Sequence, residues 1–201
     1  VAAHAGLGGG PDAGGGRAGL ELHRSRLGDG RGGRIGHHEL DLLHSPAEVL
    51  TSGNYSFGHA DDGTIYAPDD YTEMVDGFTS AHDLARWAQI MMSGGEDVLS
   101  QFSATRAQSP QARLFHYAGR PASSGGGHYG FGLFIDEYPE AEIVWHNGGI
   151  PGWGAHVAWI PEQKFGVAML ANSWPGGIYG LQDAVECIFV REIDVTMPNM
   201  S

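Results

Sequence analysis

Alternating apolar residues between positions 128 and 170 place the strongest constraint on the fold of this chain. They divide into four strand-like segments, which are 128–135, 143–145, 155–160 and 165–170. Tyr-Pro-Glu-Ala-Glu separates the first two segments, and Pro-Glu-Gln-Lys separates the last two. Consecutive strands that are joined by short turns predict an antiparallel meander.

Helical patterns flank this predicted sheet along the chain. Ser80, with Asp83 three residues later, predicts the start of a helix whose apolar residues recur over 84–92 before two stop-signal glycines. A second short helix is predicted over 99–107. Apolar residues spaced three, four and three apart predict a closing helix over 178–192 that packs on one face of the sheet. The predicted fold class is therefore α+β, an antiparallel sheet flanked by helices, here incomplete.

Two local signals mark the region before the first of these helices. Ser45 followed by Pro46 has the cap and first-turn residues of a helix start. Asp62-Gly63 lies between residues that favour strands and predicts a β-hairpin.

The composition changes sharply near residue 45. Residues 1–36 hold 13 of the 33 glycines and five of the 11 basic residues, and no periodic pattern lasts more than a few residues there. Ordering so many glycines costs conformational entropy, and the segment has too few apolar side chains to offset that cost. We therefore predict that residues 1–45 are a disordered or non-native head and that 46–201 are the folded part.

Several classes of protein are disfavoured by the sequence. A net charge of −13 argues against a nucleic-acid binder that is held by phosphate contacts. No apolar run approaches the roughly 20 residues of a membrane-spanning helix, and the first residues lack the charged and apolar regions of a signal peptide. With one cysteine, Cys187, and no His-Glu-x-x-His pattern, neither a metal site nor a cofactor is predicted.

Three stretches in a fixed order resemble the C-terminal half of the serine β-lactamase-like superfamily, which includes class C β-lactamases, DD-peptidases and related esterases. The stretches are Gly77-Phe-Thr-Ser-Ala-His-Asp-Leu-Ala-Arg-Trp-Ala-Gln89, Tyr129-Gly-Phe-Gly-Leu133 and His146-Asn-Gly-Gly-Ile-Pro-Gly-Trp153. Two further pieces, Ala-Trp-Ile-Pro-Glu162 and Val167-Ala-Met-Leu-Ala-Asn172, follow the third. The resemblance covers about residues 50–190. The resemblance implies catalysis in a cleft between a sheet and a helical domain, with a small-molecule or peptide substrate. Members of this superfamily are often exported. The resemblance implies no oligomeric state.

The resemblance also implies roles for five residues. His146-Asn147-Gly148 matches the third motif of the family, Lys-Thr-Gly or His-x-Gly, on an edge strand. In this interpretation His146 helps to hold the substrate or to stabilise charge, and the amide of Gly149 is one donor of the oxyanion hole. Asn147, Gly148 and Asn172 would then contact the substrate. The alternative is an ordinary edge-strand histidine followed by a glycine turn.

The first two catalytic motifs of the family are absent from the sequence. The one lysine is Lys164, and Pro161 stands where Ser-x-x-Lys needs its serine. Asn54-Tyr55-Ser56 has the wrong order for Tyr-x-Asn. The chain is either a truncated or mis-framed product, which we favour, or a natural pseudoenzyme. Three functions follow as hypotheses: part of a serine hydrolase that is inactive alone, a non-catalytic ligand-binding module, or a fragment without autonomous function.

Overall fold

A computed structural model describes residues 2–4, 20–26, 45–71, 78–114, 116–117, 120–121, 127–138, 141–174, 184–185 and 187–189. In chain order the strands are β1 Ala2–His4, β2 Leu20–Arg26, β3 Gly58–Ala60, β4 Ile65–Tyr66, β5 Phe78–Ser80, β6 Ala112–Leu114, β7 His116–Tyr117, β8 Arg120–Pro121, β9 Gly127–Tyr129, β10 Phe134–Glu137, β11 Glu142–Ile150, β12 Trp153–Ile160, β13 Phe165–Ala171 and β14 Ser173–Trp174. The helices are α1 Pro46–Ser52, α2 Ala81–Met92 and α3 Gln101–Ala107, and residues 184–185 and 187–189 are also helical.

Seven strands form the main sheet in the order β2-β13-β12-β11-β10-β9-β6. Every neighbouring pair in this sheet is antiparallel. All eight residues of β12 are buried, as expected for a central strand that is covered on both faces. The predicted antiparallel meander and the α+β fold class are confirmed.

The segment predicted as one strand over 128–135 is instead a hairpin of two short strands. Tyr129, the last residue of β9, pairs with Phe134, the first residue of β10. Gly132 between them has a φ of 74°, and the amide of Gly130 donates to the carbonyl of Leu133 over 2.8 Å. The prediction was wrong because glycines that alternate with apolar residues look like a strand, while one of them supplies the left-handed conformation of a turn.

Two strands lie in the segment that was predicted to lack regular structure. Leu20–Arg26 pairs antiparallel with β13, and Ala2–His4 pairs in parallel with β5. The prediction was wrong for these two ranges, because strand pairing uses backbone groups and needs no apolar periodicity. Residues 1, 5–19 and 27–44 lie outside the described residues, and the domain boundary near residue 45 stays a prediction.

The core lies on both faces of the main sheet. Neighbouring residues of β12 point to opposite faces. Val157 and Trp159 pack against α2 and α3, and Ala158 and Ile160 pack in a second cluster with Val185, Ile188 and Phe189. The cluster around Ala158 and Ile160 also contains residues from the neighbouring strands β10, β11 and β13, which are Phe134, Ile143, Trp145, Phe165, Val167, Met169 and Ala171. The sheet is therefore sandwiched between α2 and the helical residues near 188.

The helix that faces the sheet begins where the sequence predicted. The Ser80 hydroxyl accepts a hydrogen bond from the Asp83 amide over 3.1 Å, and the Gly95 amide donates to the Ile90 carbonyl over 2.8 Å beyond the other end. Helix α3 begins two residues later than predicted, because Ser100 serves as its cap.

The other local signals have mixed outcomes. Ser45 and Glu48 form a capping box at the start of α1, and β3 and β4 form the predicted hairpin around Gly63. Most of the helix predicted over 178–192 lies outside the described residues, but the five that are described are helical. Among the described residues, no helix is both long and apolar enough to cross a membrane.

Candidate functional site

Strand β11 extends past its neighbour and leaves an edge. Its residues 144–150 pair with β12, but only residues 142–145 pair with β10. Among the described residues, no other strand pairs with 146–150 on the β10 side. Four of the residues that the third motif predicted, His146, Asn147, Gly148 and Gly149, lie on this segment, which we call the free edge (residues 146–150).

Gly149 is the exposed residue of the free edge, and the other four residues are partly buried. Gly149 pairs with Gly154 of β12. Both members of this pair are glycines, so neither carries a side chain. Alternate backbone groups of an edge segment point away from the paired neighbour, where an extended ligand can bond to them. An extended chain could therefore add to the sheet here.

The imidazole of His146 is half-buried between aromatic rings. Its Nε2 lies 3.4 Å from the hydroxyl oxygen of Tyr129. The ring of Phe134 stacks on it, with ring centres 5.3 Å apart and planes 29° apart. Burial lowers the pKa of His146 below its usual 6.5, and a hydrogen bond to the backbone of Asn147 acts in the opposite direction. The imidazole is therefore uncharged near neutral pH.

Further aromatic contacts fix the neighbours of His146. Phe134 packs edge-to-face on Tyr129 at 4.7 Å and stacks on Trp145 at 4.6 Å. The Trp145 indole N–H donates to Oδ2 of Asp136 over 2.7 Å, and its ring stacks on buried His156 at 5.5 Å. Rings that are packed on both sides and hydrogen-bonded have few rotamers, so this array holds the wall beside the free edge in one arrangement.

Asn172 lies at the same end of the sheet as Gly149. Gly149, Gly154 and Ala171 form a row across three strands, so Ala171 is about 10 Å from Gly149. The side-chain amide of Asn172, which is 6% exposed, donates to the Phe57 carbonyl over 3.1 Å. The side chain of Asn172 therefore links the end of β13 to the segment before β3, and its predicted contact with substrate stays a prediction.

The turn after the free edge is fastened to the segment around β3. The His59 amide donates to the carbonyls of Asn172 and Gly152 over 3.0 and 3.2 Å. A Cβ on Gly152 would lie 2.9 Å from the Cα of Gly58, so the two backbones are in direct contact. This contact brings the Phe57–His59 segment next to the turn that ends the free edge.

The one lysine lies at the opposite end of the sheet. Lys164 is in the turn between β12 and β13, just beyond the Ile160–Phe165 pair, which is six residues along the sheet from the Gly154–Ala171 pair. That spacing corresponds to about 20 Å. Lys164 therefore cannot take the place of the missing Ser-x-x-Lys lysine beside the free edge.

Sequence reasoning missed the side chain whose hydroxyl lies beside Nε2 of His146. Tyr129 was part of the Tyr-Gly-Phe-Gly-Leu stretch, yet it was assigned no role there. Its position directly before a glycine turn at the start of a hairpin was the available signal. Among the described residues, no group of three His, Cys, Asp or Glu side chains could hold a metal ion.

Comparison with curated proteins links the chain to fungal hydrolases. It is 31% identical over 113 residues to Unguisins hydrolase ungD' of Aspergillus campestris and 53% identical over 36 residues to Unguisins hydrolase ungD of Aspergillus violaceofuscus. The first match covers 56% of this chain and 21% of the relative, and the second covers 18% and 6%. The chain therefore spans about a fifth or less of the curated relatives that it matches.

Solved structures share the fold. The octameric penicillin-binding protein homologue from Pyrococcus abyssi has a TM-score of 0.56 and 24% identity, over 67% of this chain and 31% of that one. A penicillin-binding protein from Bacillus halodurans has a TM-score of 0.51 and 20% identity, over 67% and 40%.

The family model described as Beta-lactamase matches residues 19–185, which is most of the chain. The match includes β2 and every residue of the free edge. The chain therefore belongs to the Beta-lactamase family, within the β-lactamase-like serine hydrolases.

Proposed function

We propose that this chain forms the substrate-binding edge of a β-lactamase-related serine hydrolase that acts by acyl transfer on amide or ester bonds. The observation that carries the proposal is the free edge, a glycine-rich segment beside His146 that pairs with β12 and with no described strand on the β10 side. Membership of the family supports the reaction class. The name of the Aspergillus relatives, hydrolases of unguisins, is consistent with it.

The geometry indicates how the edge contributes. An extended small-molecule or peptide substrate adds along residues 146–150 and exchanges backbone hydrogen bonds with them. Gly148 and Gly149 let the acyl group approach closely, because they have no Cβ. The Gly149 amide then donates to the oxygen that becomes negatively charged in the transition state. Asn147 and Asn172 complete the polar contacts in this proposal.

The printed sequence lacks the nucleophile that this reaction needs. It contains neither Ser-x-x-Lys nor Tyr-x-Asn, and in the family the second donor of the oxyanion hole belongs to the catalytic serine. An activated nucleophile splits one difficult step into two easier ones, and its loss leaves only binding and residual electrostatic effects. We therefore propose that the chain alone has no turnover.

A non-catalytic ligand-binding module is the second candidate. The free edge favours it, because the edge is formed without any catalytic serine. Both candidates share the same binding surface and differ only in whether a nucleophile is supplied elsewhere in the protein.

Hydrolysis of nitrocefin and of p-nitrophenyl acetate by the purified chain tests the proposal, with His146→Ala measured beside it. We expect no turnover above background from either protein. Turnover that disappears in His146→Ala would overturn the claim of inactivity and show that the site works without the serine.

A melting experiment tests the binding edge itself. We expect a β-lactam or an extended acyl-peptide to raise the melting temperature of the chain. Gly149→Pro removes the edge amide, so it should reduce this rise more than its effect on the unliganded melting temperature explains. The absence of any ligand-dependent rise would contradict both candidates.

A further inference from the structure

Tyr129 lies beside the third motif in a contact that the proposed function does not use. Its hydroxyl oxygen is 3.4 Å from Nε2 of His146, and the ring centres are 6.5 Å apart. Phe134 packs on both rings, at 4.7 and 5.3 Å, so it holds them in this relation. Tyr129 and His146 are 17 residues apart in sequence, and the β9–β10 hairpin brings them together.

Nε2 of His146 faces the Tyr129 hydroxyl. A phenol O–H is a stronger donor than an imidazole N–H, and an imidazole nitrogen is a stronger acceptor than a phenol oxygen, so the hydroxyl is the better donor in this contact. An imidazole that is uncharged and protonated at Nδ1 has a lone pair at Nε2, which can accept from the phenol.

We propose that Tyr129 is a positioning residue for the third motif: its hydroxyl donates to Nε2 of His146 and holds the imidazole uncharged and protonated at Nδ1. The inference rests on the proposed function, because it assigns the orientation of a side chain in that site. Nε2 is then engaged within the protein and is not available to a substrate. The free edge consequently binds an acyl substrate through its backbone, and the third motif presents no cation to it.

No carboxylate among the described residues competes for this imidazole. Asp136 on β10 accepts from the Trp145 indole. Glu137 on β10 is paired in register with Glu142 on β11, which is four residues, or about 13 Å, along the strand from His146. His128 on β9 lies 3.5 Å from Glu137, at the Glu142 end of the strands. The Tyr129 hydroxyl is therefore the described side-chain group that lies at Nε2, and the positive charge of the N-terminus also lowers the pKa of His146.

Nitrogen NMR of the whole chain, labelled with ¹⁵N-histidine, tests the proposal without any need for turnover. The His146 signals are assigned by their loss in His146→Gln, and two-bond proton–nitrogen couplings then report which nitrogen carries the proton. We expect the Nδ1-protonated form in the unaltered chain. In Tyr129→Phe, which keeps the ring, we expect the Nε2-protonated form to gain and the pKa of His146 to rise by about half a unit to one unit.

Tyr138→Phe is the matched control, because it removes a phenol hydroxyl at the other end of β10. It should leave the tautomer and the pKa of His146 unchanged. An Nε2-protonated His146 in the unaltered chain would overturn the proposal, and so would a Tyr129→Phe variant with the same tautomer and pKa. If Tyr129→Phe does not fold, labelling with 3-fluorotyrosine replaces it. A stronger phenol donor should lower the pKa of His146, and an unchanged or higher value would refute the inference. The tautomer and the pKa of His146 are measured without catalysis. Failure of this proposal can therefore be told apart from failure of the proposed function.

Discussion

Gly152, in the turn that ends the free edge, has a backbone conformation that L side chains rarely adopt. Its φ is 91°, and a Cβ there would lie 2.9 Å from both the Gly58 Cα and the Tyr66 ring. Gly152→Ala should therefore add a steric conflict to the conformational strain, and it should cost about 2–5 kcal/mol of unfolding free energy. Urea unfolding measures this cost.

Gly63 provides the matched control for that prediction. Its φ is 88°, but nothing lies within 4 Å of a Cβ built on it. Gly63→Ala should therefore cost only the backbone strain, roughly 1–2 kcal/mol. Equal losses in the two variants would show that the Gly58–Gly152 contact does not constrain the turn.

Burial of His146 predicts how stability depends on pH. Its pKa is lowered in the folded chain, so the unfolded chain binds more protons between the folded value and 6.5. The stability that the uncharged imidazole contributes is present above pH 6.5 and is lost as pH falls through this window. Unfolding free energies at pH 7.5 and 5.5 should fall less in His146→Gln than in the unaltered chain. Parallel losses would contradict the lowered pKa, since the other histidines are common to both proteins.

The site residues that could be predicted from the sequence are those that belong to one continuous motif. His146, Asn147, Gly148 and Gly149 are consecutive, so one sequence pattern identified them together. The contact of Tyr129 with His146 depends on a hairpin whose turn looks like part of a strand, so no spacing rule reveals it. The bridging bond of Asn172 joins residues 115 positions apart and is likewise invisible in the sequence.

Asn172 joins two sheets, and its removal should loosen one of them. Its side-chain amide bonds to the Phe57 carbonyl, and β14, which follows it, pairs in parallel with β3. Asn172→Ala leaves that carbonyl without its donor in a partly buried place, which should cost about 1–3 kcal/mol. Amide exchange should speed up at His59, whose amide donates to the backbone carbonyl of Asn172, more than in the central strand β12.

Asn54→Ala is the control for this prediction, because Asn54 is exposed just after α1. It should change the unfolding free energy by less than about 0.5 kcal/mol. If the two variants are equally stable, the bond between Asn172 and Phe57 does not hold the segment.

Elements whose signal is local could be predicted, and elements whose partner is distant could not. The cap at Ser80 and the turn at Gly63 depend on residues within a few positions, and both were found. The strands β12 and β13 were found to within two residues at either end, since their apolar runs are bounded by turns. Strand β2 was missed because its residues pair with residues of β13 that are about 140 to 150 positions away, and they pair through backbone groups.

At the scale of the whole molecule, the sheet and the nucleophile are separable. Among the described residues, strands β10 to β13 form the centre of the sheet, α2, α3 and the helical residues near 188 cover its two faces, and β11 carries the free edge. The catalytic serine and lysine of the family belong to motifs that the printed sequence lacks. The proposed binding by the free edge can therefore be tested in this chain without any turnover.

The outer edge of β13 yields a prediction for the whole molecule. Strand β2 pairs with all seven residues of β13, from Phe165 to Ala171, and so covers the hydrogen-bonding groups of that edge. Removal of residues 1–44 uncovers an edge on a fully buried apolar strand, and such an edge is a template for pairing with another chain. We expect this truncated protein to associate at concentrations where a protein that lacks only residues 1–18, and so keeps β2, does not. Light scattering coupled to size exclusion measures the difference. If the two truncated proteins have the same mass distribution and the same unfolding free energy, β2 does not protect the sheet, and residues 1–45 are the unstructured head that their composition predicts.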